Sequence, residues 1–177
     1  RQGFDGAYDI AVDSAGNVYV TGSSVGSGTN GDYATIKYNS SGVQQWVARY
    51  NGPGNGFDQA FAIAVDSAGN VYVTGRSTGS GTLYDYATIK YDSSGVQQWV
   101  ARYDGPGNGN DTAMAITFDS AGNVYVIGDS VGIGTNGDYA TIKYNNSGVE
   151  QWVKRHDGPG HGLDYGRAIT LDSAENI

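Results

Sequence analysis

The stretch DSAGNVYVTG, at residues 13–22, occurs again without change at residues 66–75. It returns as DSAGNVYVIG at 119–128, and its beginning reappears as DSAENI at 172–177. Each copy starts 53 residues after the one before it. A fixed internal period of this length predicts an array in which one structural unit is repeated along the chain.

The 53-residue period holds along the whole chain. All three tryptophans and all three prolines keep it, at Trp46, Trp99, Trp152, Pro53, Pro106 and Pro159. We therefore treat residues 1–177 as a single partial domain, divided into repeats 1–53, 54–106 and 107–159 and a partial fourth repeat, 160–177.

The composition is typical of strands joined by tight turns. The chain has 29 glycines, only 3 prolines and 14 tyrosines, and hydrophobic residues make up 38% of it. Tyrosine, valine and threonine favour strands, whereas glycine, asparagine and aspartate favour the turns between them. The composition therefore predicts an all-β fold.

Charge and composition exclude several classes of partner. The formal net charge of −8 leaves no basic surface for phosphate groups, so we expect neither nucleic acid nor an anionic membrane as a partner. No apolar segment approaches the roughly 20 residues that span a bilayer, so membrane insertion is not expected. The absence of cysteine rules out disulfides and thiolate chemistry. The lysine-poor balance, rich in glycine, serine and asparagine, favours the exterior of a bacterial cell.

Each repeat contains four segments with strand character. In the second repeat they are AFAIAVD at 60–66, NVYVTG at 70–75, DYATIKY at 85–91 and VQQWVARY at 96–103. Side chains of different polarity alternate along the second and third segments, which is the period of a strand. Two short turns and one polar, glycine-rich loop connect the segments. Each repeat is therefore predicted to form a four-stranded antiparallel sheet.

Both faces of these sheets carry apolar side chains, so each sheet must stack on a neighbour. Small residues such as Ala60 and Ala62 in the first strand suit a crowded centre. Trp99 and Tyr103 in the fourth strand suit a wide perimeter. This gradient predicts a β-propeller of four-stranded blades, of which the chain contains about 3.3.

The repeat also resembles a known family. Its pattern AIAVDSAGNVYVTG, followed by DYATIKYDSSGVQQWVARYDGPGNG, resembles the bacterial β-propeller repeats known as SBBP-type repeats. VDSAGNVYV is similar to the first two strands of NHL repeats, and SSGVQQW is similar to the tryptophan-docking corner of quinoprotein propellers. The SBBP resemblance implies a propeller in a large secreted or surface-exposed protein, with a scaffold or recognition role rather than a reaction.

The number of repeats does not suit a closed ring, because known propellers have about four to eight blades. Two explanations remain open. The chain is a segment of a longer propeller, or several copies assemble into a ring through head-to-tail interfaces between nearly identical repeats.

Candidate catalytic residues are few. His156 and His161 are the only histidines, and Glu150 and Glu175 are the only glutamates. His156 stands where the other repeats have tyrosine, which favours a surface or packing role, and neither glutamate forms a paired-carboxylate motif. The spacing around Asp92 does not match the Asp box of sialidase-type propellers. We therefore expect no enzyme activity and no catalytic or cofactor-binding residue.

Aspartates recur just before the first strand of each repeat, at Asp5, Asp58, Asp111 and Asp164. Rings of carboxylates suit calcium, which prefers oxygen ligands. However, DSAGN lacks the alternating acidic ligands of an EF-hand loop. Capping of turns, with the carboxylates accepting backbone N–H bonds, explains the same aspartates without an ion. We expect capping and no metal site, with calcium as the alternative.

A lysine recurs inside the third strand of each repeat, at Lys37, Lys90 and Lys143. Burying an unpaired charge is costly, so we predict a repeated structural ion pair. Asp85, or an aspartate of the Asp58 type, is the expected partner.

Variation between repeats concentrates in the loop between the second and third strands, which reads SSVGSGTNGDY, RSTGSGTLYDY and DSVGIGTNGDY. In the second repeat, Leu83 and Tyr84 are expected to form an apolar projection that suits a glycan ring or a partner protein. Recognition and neutral drift at exposed positions both produce this pattern.

The combined prediction is a non-enzymatic scaffold or protein interaction module of a secreted or cell-surface bacterial protein. Its expected partners are other proteins, or further copies or blades of itself. The alternative is a carbohydrate-binding, lectin-like propeller that uses the inter-strand loops, and a glycosidase or lyase comes third. The three tryptophans are expected to anchor packing at the perimeter.

Overall fold

The computed structural model describes residues 5–26 and 29–177, and the strands predicted from the sequence are present in each of the first three repeats. In chain order the strands are β1 (Gly6–Val12), β2 (Val18–Val25), β3 (Gly31–Tyr38), β4 (Gln44–Tyr50), β5 (Asp58–Val65), β6 (Val71–Thr78), β7 (Tyr84–Tyr91), β8 (Gln97–Tyr103), β9 (Thr112–Phe118), β10 (Val124–Val131), β11 (Gly137–Tyr144) and β12 (Glu150–His156). The all-β prediction is confirmed. Within the described ranges, no helix is long and apolar enough to cross a membrane.

Each repeat forms one antiparallel sheet, which we call a blade. Blade one has the order β1-β2-β3-β4, blade two β5-β6-β7-β8, and blade three β9-β10-β11-β12. Strands that are adjacent in the sequence are therefore adjacent in the sheet. The predicted four-stranded antiparallel blades are confirmed.

The turn between the first two strands of a blade follows from the motif DSAGN. In blade two, the Asp66 carboxylate accepts backbone bonds from Ala68 at 2.9 Å and from Asn70 at 2.8 Å. Gly69 has a φ of +81°, a backbone angle that residues with a Cβ rarely adopt. The aspartate and the glycine together fix a tight hairpin, because one satisfies the free N–H groups and the other permits the reversal.

The second and third strands are longer than the sequence pattern indicated. β6 continues through Thr78 and pairs there with Tyr84, so the loop between β6 and β7 contains only residues 79–83. A bond from the Gly79 N–H to the Leu83 carbonyl closes this loop at 2.9 Å. Residues 76–78, which the sequence placed in a polar loop, therefore belong to the sheet.

A β-bulge lies between the first two strands of each blade. In blade two the register shifts between Ala60 and Ala62, opposite Gly75. A Cβ on Gly75 would lie 2.0 Å from the Gln59 carbonyl oxygen, so only glycine permits this approach. The bulge bends the first strand, and Ala60 there is fully buried.

The blades pack face to face, and their first strands are adjacent. β1 contacts β5, and β5 contacts β9. Tyrosines on one blade pack against valines and isoleucines of the next; between blades one and two they include Tyr19, Tyr33, Val73 and Ile89. Since each core is built from two blades, a blade buries its apolar residues only through its neighbours.

The partial fourth repeat begins in the same way as the complete ones. The Asp164 N–H donates to the Gly137 carbonyl at 2.7 Å, as the Asp111 N–H does to the Tyr84 carbonyl at 2.7 Å. Glu175 also bonds the Ser120 hydroxyl of blade three at 2.7 Å. Residues 164–175 therefore lie against blade three. No strand is formed within residues 164–175.

Candidate functional site

The variable loops and the linkers between blades lie at one end of the sheets, which we call the loop face. In blade two this end carries the loop 79–83, the start of β5 and the end of β8. The opposite end, the turn face, carries the DSAGN turn and the turn 92–95. Antiparallel order places these segments together, because alternate strands end on the same side.

Five side chains of the second repeat meet on the loop face. The Arg76 guanidinium lies 4.6 Å from the Tyr84 ring centre, 5.7 Å from that of Phe61 and 5.9 Å from that of Phe57. Its Nη2 donates to the Gln59 Oε1 at 2.9 Å. We call these residues the Arg76 cluster. Serine and aspartate replace Arg76 in the first and third repeats, so the cluster is specific to blade two.

The predicted apolar projection on this face is formed by one residue rather than two. Leu83 is 57% exposed, whereas Tyr84 is half-buried beneath the Arg76 guanidinium. The expected exposure of Leu83 is confirmed, and Tyr84 belongs to the Arg76 cluster beside it. Sequence order did not show the pairing of Arg76 with Tyr84, which follows from the register between β6 and β7.

The aspartates at the starts of the blades are caps, as the sequence predicted. The buried Asp58 accepts the Gly52 N–H at 2.7 Å and the Thr78 N–H at 2.9 Å. Asp111 repeats these bonds to Gly105 and Val131, Asp164 bonds the Gly158 N–H at 2.7 Å, and Asp5 bonds the Val25 N–H at 3.0 Å. Burial raises the pKa of Asp58 and Asp111, against the lowering effect of these bonds.

Two of these caps also belong to acidic groups on the loop face. Asp111 lies near Asp85 and Asp104, and Asp164 lies near Asp138 and Asp157. One carboxylate oxygen from each member of a group lies within 4.8 Å of the others. The pKa of Asp104 is raised, first by burial and then by the charge of Asp85. Sequence reasoning missed these groups, although all the positions keep the 53-residue period.

The repeated ion pair exists, but the predicted cation was wrong. Arg102 Nη2 lies 2.7 Å from Asp85 Oδ2, and Arg155 Nη2 lies 2.9 Å from Asp138 Oδ2. Arg49 stands 3.8 Å from Asp32 in blade one. Arginine is the partner because the end of the fourth strand lies beside the start of the third on the loop face.

The lysines lie at the turn face, far along the third strand from Asp85. Lys37, Lys90 and Lys143 stand 4.9 to 5.2 Å from the ring centres of Tyr19, Tyr72 and Tyr125. Lys90 also donates to the Asn146 side chain of blade three, and Lys143 lies 3.9 Å from Asp119. Burial lowers the pKa of Lys90. The lysines are therefore held by tyrosine rings and by the turns, and Asp85 or Asp58 is not their partner.

The tryptophans join successive blades, which fits the packing role predicted for them. Trp46 Nε1 donates to the Ser93 carbonyl at 3.1 Å, and Trp99 Nε1 donates to the Asn146 carbonyl at 3.0 Å. Each indole lies over a glycine of the next blade, so that a Cβ on Gly95 or Gly148 would be 2.6 to 2.7 Å from the ring. Trp152 stands at the same position in blade three, beside Tyr125.

The candidate catalytic residues lie apart and have structural contacts. His156 stacks on Tyr139 with ring centres 5.0 Å apart, and the exposed His161 pairs with Asp157 at 2.5 Å. Asp92 caps a turn by accepting the Ser94 and Val96 N–H groups at 2.9 and 3.0 Å. Glu150 is exposed at the start of β12, and Glu175 bonds Ser120. These side chains therefore stack on a ring, form an ion pair or cap a turn.

The three packed four-stranded blades define a β-propeller repeat protein. A family model described as a beta-propeller repeat, SBBP, matches residues 5–28 and 45–81. These two segments therefore match the SBBP β-propeller repeat that the sequence pattern indicated, and the fold of the three blades is that of β-propeller repeats. The third repeat continues the same period with the same strand order.

Among solved structures, the chain is similar to a fucose lectin from Kordia zhangzhouensis in complex with methyl-fucoside. The sequence identity is 11% and the TM-score is 0.44, and the similarity covers 85% of this chain and 97% of that chain. Nothing about a ligand follows from a similarity at this level. No curated protein matches the chain.

Proposed function

We propose that this chain is a non-enzymatic interaction module of a secreted or cell-surface bacterial protein, and that blade one docks a further propeller blade, which a second copy supplies when the 177-residue chain is studied alone. The observation that carries the proposal is the open face of β1 and its neighbours. Composition supports the extracellular location. The repeat architecture supports the interaction role, because each blade is built to pack on another.

We call the face of blade one that carries Ile10 and Val12 the open face. In blade two, the equivalent face is covered by blade one. Ile10 and Val12 of blade one are 61% and 62% exposed. Ile63, the counterpart of Ile10 in blade two, is only 7% exposed, because Tyr33 and other residues of blade one pack on that face. Ile10 and Ile63 are the same residue at equivalent positions, so the difference in their exposure comes from the neighbouring blade.

The face is complementary to the outgoing face of a similar blade. On blade one the outgoing face is formed by Tyr33, whose hydroxyl donates to the Ala87 carbonyl at 3.1 Å, and by Trp46, whose indole bonds Ser93. Tyr139 and Trp152 hold these positions in blade three. A second copy therefore offers the side chains that fit the open face, in a head-to-tail contact. Residues 164–175 cover part of blade three, so docking there requires them to shift.

Native mass spectrometry and size exclusion of the 177-residue chain over a range of concentrations test this proposal. We expect the parent chain to form oligomers. The Ile10→Asp variant should be monomeric, because the substitution places a charge in the contact between blades. Val43→Asp is the matched control, since Val43, Val96 and Val149 are 57 to 58% exposed in all three blades. A chain that stays monomeric at every concentration, or oligomers that ignore Ile10→Asp, would contradict docking at this face.

A second candidate function is glycan recognition at the Arg76 cluster. The observation that favours it is the exposed Leu83 beside a guanidinium that covers an aromatic ring, since aromatic and arginine side chains anchor many recognition sites. A glycan array should show binding that is lost when Leu83→Asn and Tyr84→Gly restore the residues of the first repeat. Equal binding by this variant, or no binding by the parent chain, would exclude the cluster as a glycan site.

A further inference from the structure

Acidic groups lie where one blade ends and the next begins. Asp85 is in β7 and Asp104 follows β8, both in blade two, while Asp111 leads into β9 of blade three. Oxygens of all three lie within 4.8 Å of one another, and Asp138, Asp157 and Asp164 repeat the arrangement after blade three. Because capping uses only one N–H on each Asp111 oxygen, it does not explain why two further carboxylates converge there.

A second observation concerns buried oxygens that lack a partner. Asp85 Oδ2 accepts from Arg102 and Thr82, but its Oδ1 has no hydrogen-bond partner among the described residues, although the side chain is only 7% exposed. Asp104 Oδ1 is likewise buried without a partner. Asp138 Oδ1 and Asp157 Oδ1 are in the same condition at the second group. Such oxygens are costly unless a proton, a water molecule or a bound ion satisfies them.

The first repeat supports the same interpretation. Asn51 takes the position of Asp104, and its amide nitrogen donates outward to Asn55 at 2.9 Å. The amide oxygen is buried and unpartnered, as is Asp32 Oδ1 at the position of Asp85. The corresponding positions of the first repeat therefore also hold buried oxygens without a hydrogen-bond partner among the described residues.

We propose that each complete acidic group binds one Ca²⁺ ion at the junction between a blade and the segment that follows it. The ligands are Asp85, Asp104 and Asp111 in the first site, and Asp138, Asp157 and Asp164 in the second. The ion ties the end of one blade to the start of the next. This site is separate from the open face of blade one, and it stands without the proposed docking.

Charge and distance both favour Ca²⁺. Three carboxylates and the bonded guanidinium of Arg102 carry a net charge of −2, which one divalent ion neutralises. Calcium binds oxygens at about 2.4 Å, so two of its ligands are at most roughly 4.8 Å apart, and the carboxylate oxygens of each group lie within this limit. Magnesium has shorter bonds and requires a tighter cage. In blade one Asn51 removes one charge, so that position binds more weakly.

The test is calorimetric titration of CaCl₂ into chelator-treated protein, together with thermal unfolding with and without Ca²⁺. We expect two ions per chain, one for each complete group, and a higher unfolding temperature with Ca²⁺. Asp104→Asn, which copies Asn51, should leave one ion. The double variant Asp104→Asn, Asp157→Asn should bind none. Asp92→Asn is the control, because it removes the same charge at a turn where the other repeats have asparagine.

A gain of binding keeps the test decisive where an aspartate variant fails to fold. Asn51→Asp completes the group in the first repeat, so it should add a third ion. The proposal is overturned when millimolar Ca²⁺ gives neither heat nor a change in unfolding temperature, which would mean that water and protons satisfy these oxygens. It is also overturned when Asp104→Asn and Asn51→Asp both leave the number of bound ions unchanged.

Discussion

At the scale of single residues, one aspartate organises the turn between the first two strands of each blade. In blade three the Asp119 side chain is fully buried and accepts the Ala121 and Asn123 N–H groups at 3.0 and 2.8 Å. It also accepts the Asn123 amide at 2.7 Å and the Tyr125 hydroxyl at 3.0 Å. All of these partners are donors, so the site requires an acceptor with two oxygens.

We expect Asp119→Asn to destabilise the protein by about 1.5 to 3 kcal/mol, because its amide N–H groups face donors and the charged acceptor is lost. Urea unfolding followed by circular dichroism measures the change. Asp172→Asn is the control: Asp172 accepts the same turn bonds, but it is exposed and should cost much less. Equal effects of the two substitutions would show that burial does not strengthen the cap.

The same aspartate predicts how stability responds to acid. Burial acts to raise the pKa of Asp119, but the bonds from Asn123 and Tyr125 outweigh it and hold the pKa below the usual range. The folded pKa is thus below the unfolded one, so the contribution is full above about pH 4 and is lost as the pH falls through the folded pKa. Asp58 and Asp111 act in the opposite sense, because burial raises their pKa values.

We therefore expect the stability difference between the parent chain and Asp119→Asn to shrink as the pH falls from about 6 to about 3. Urea unfolding at a series of pH values measures it. A difference that stays constant over this range would mean that Asp119 has the same pKa in the folded and unfolded chains.

At the scale of elements, strand pairing was predictable and side-chain pairing was not. The period and the alternation of polarity located the strands within a few residues, because both follow from local backbone geometry. The partner of Lys90 was predicted wrongly, since the sequence does not show which end of a strand meets which neighbour. The Arg102 pair with Asp85 depends on that register, and so does the Arg76 cluster.

The tryptophans allow the contact between blades to be measured. We expect Trp99→Ala to cost about 2 to 4 kcal/mol, somewhat less than for a fully buried tryptophan, because the indole is half-buried over Gly148. Trp152→Ala should cost clearly less in a monomer, since no complete fourth blade lies beside it in the described chain. Chemical denaturation of the two variants provides the comparison. Equal losses would place the contribution of the indole within its own blade.

At the scale of the whole molecule, the sequence predicted the propeller architecture because the same pattern of four strands recurs in each repeat with no change of length. It did not predict the acidic groups, because their members are distant in the chain and meet only when consecutive blades pack. The exposure of the first blade also depends on packing, since Ile10 and Ile63 are identical residues in equivalent strands. The acidic groups and the exposure of Ile10 therefore depend on the interfaces between repeats, which the sequence of a single repeat does not show.

This dependence on neighbours can be tested with one substitution made in two blades. Val73 is fully buried between blades one and two, whereas its counterpart Val20 is half-buried on the open face. We expect Val73→Ala to cost about 2 kcal/mol at any protein concentration. Val20→Ala should cost less at low concentration, where the open face of a monomer has no neighbour.

The cost of Val20→Ala should then rise with protein concentration, because a docked second copy covers the same face. Urea unfolding at micromolar and at several hundred micromolar protein measures both variants against the parent chain. A cost for Val20→Ala that equals that of Val73→Ala in the dilute monomer would contradict the open face. If Val20→Ala costs less than Val73→Ala at every protein concentration, the face is open but does not dock a second copy.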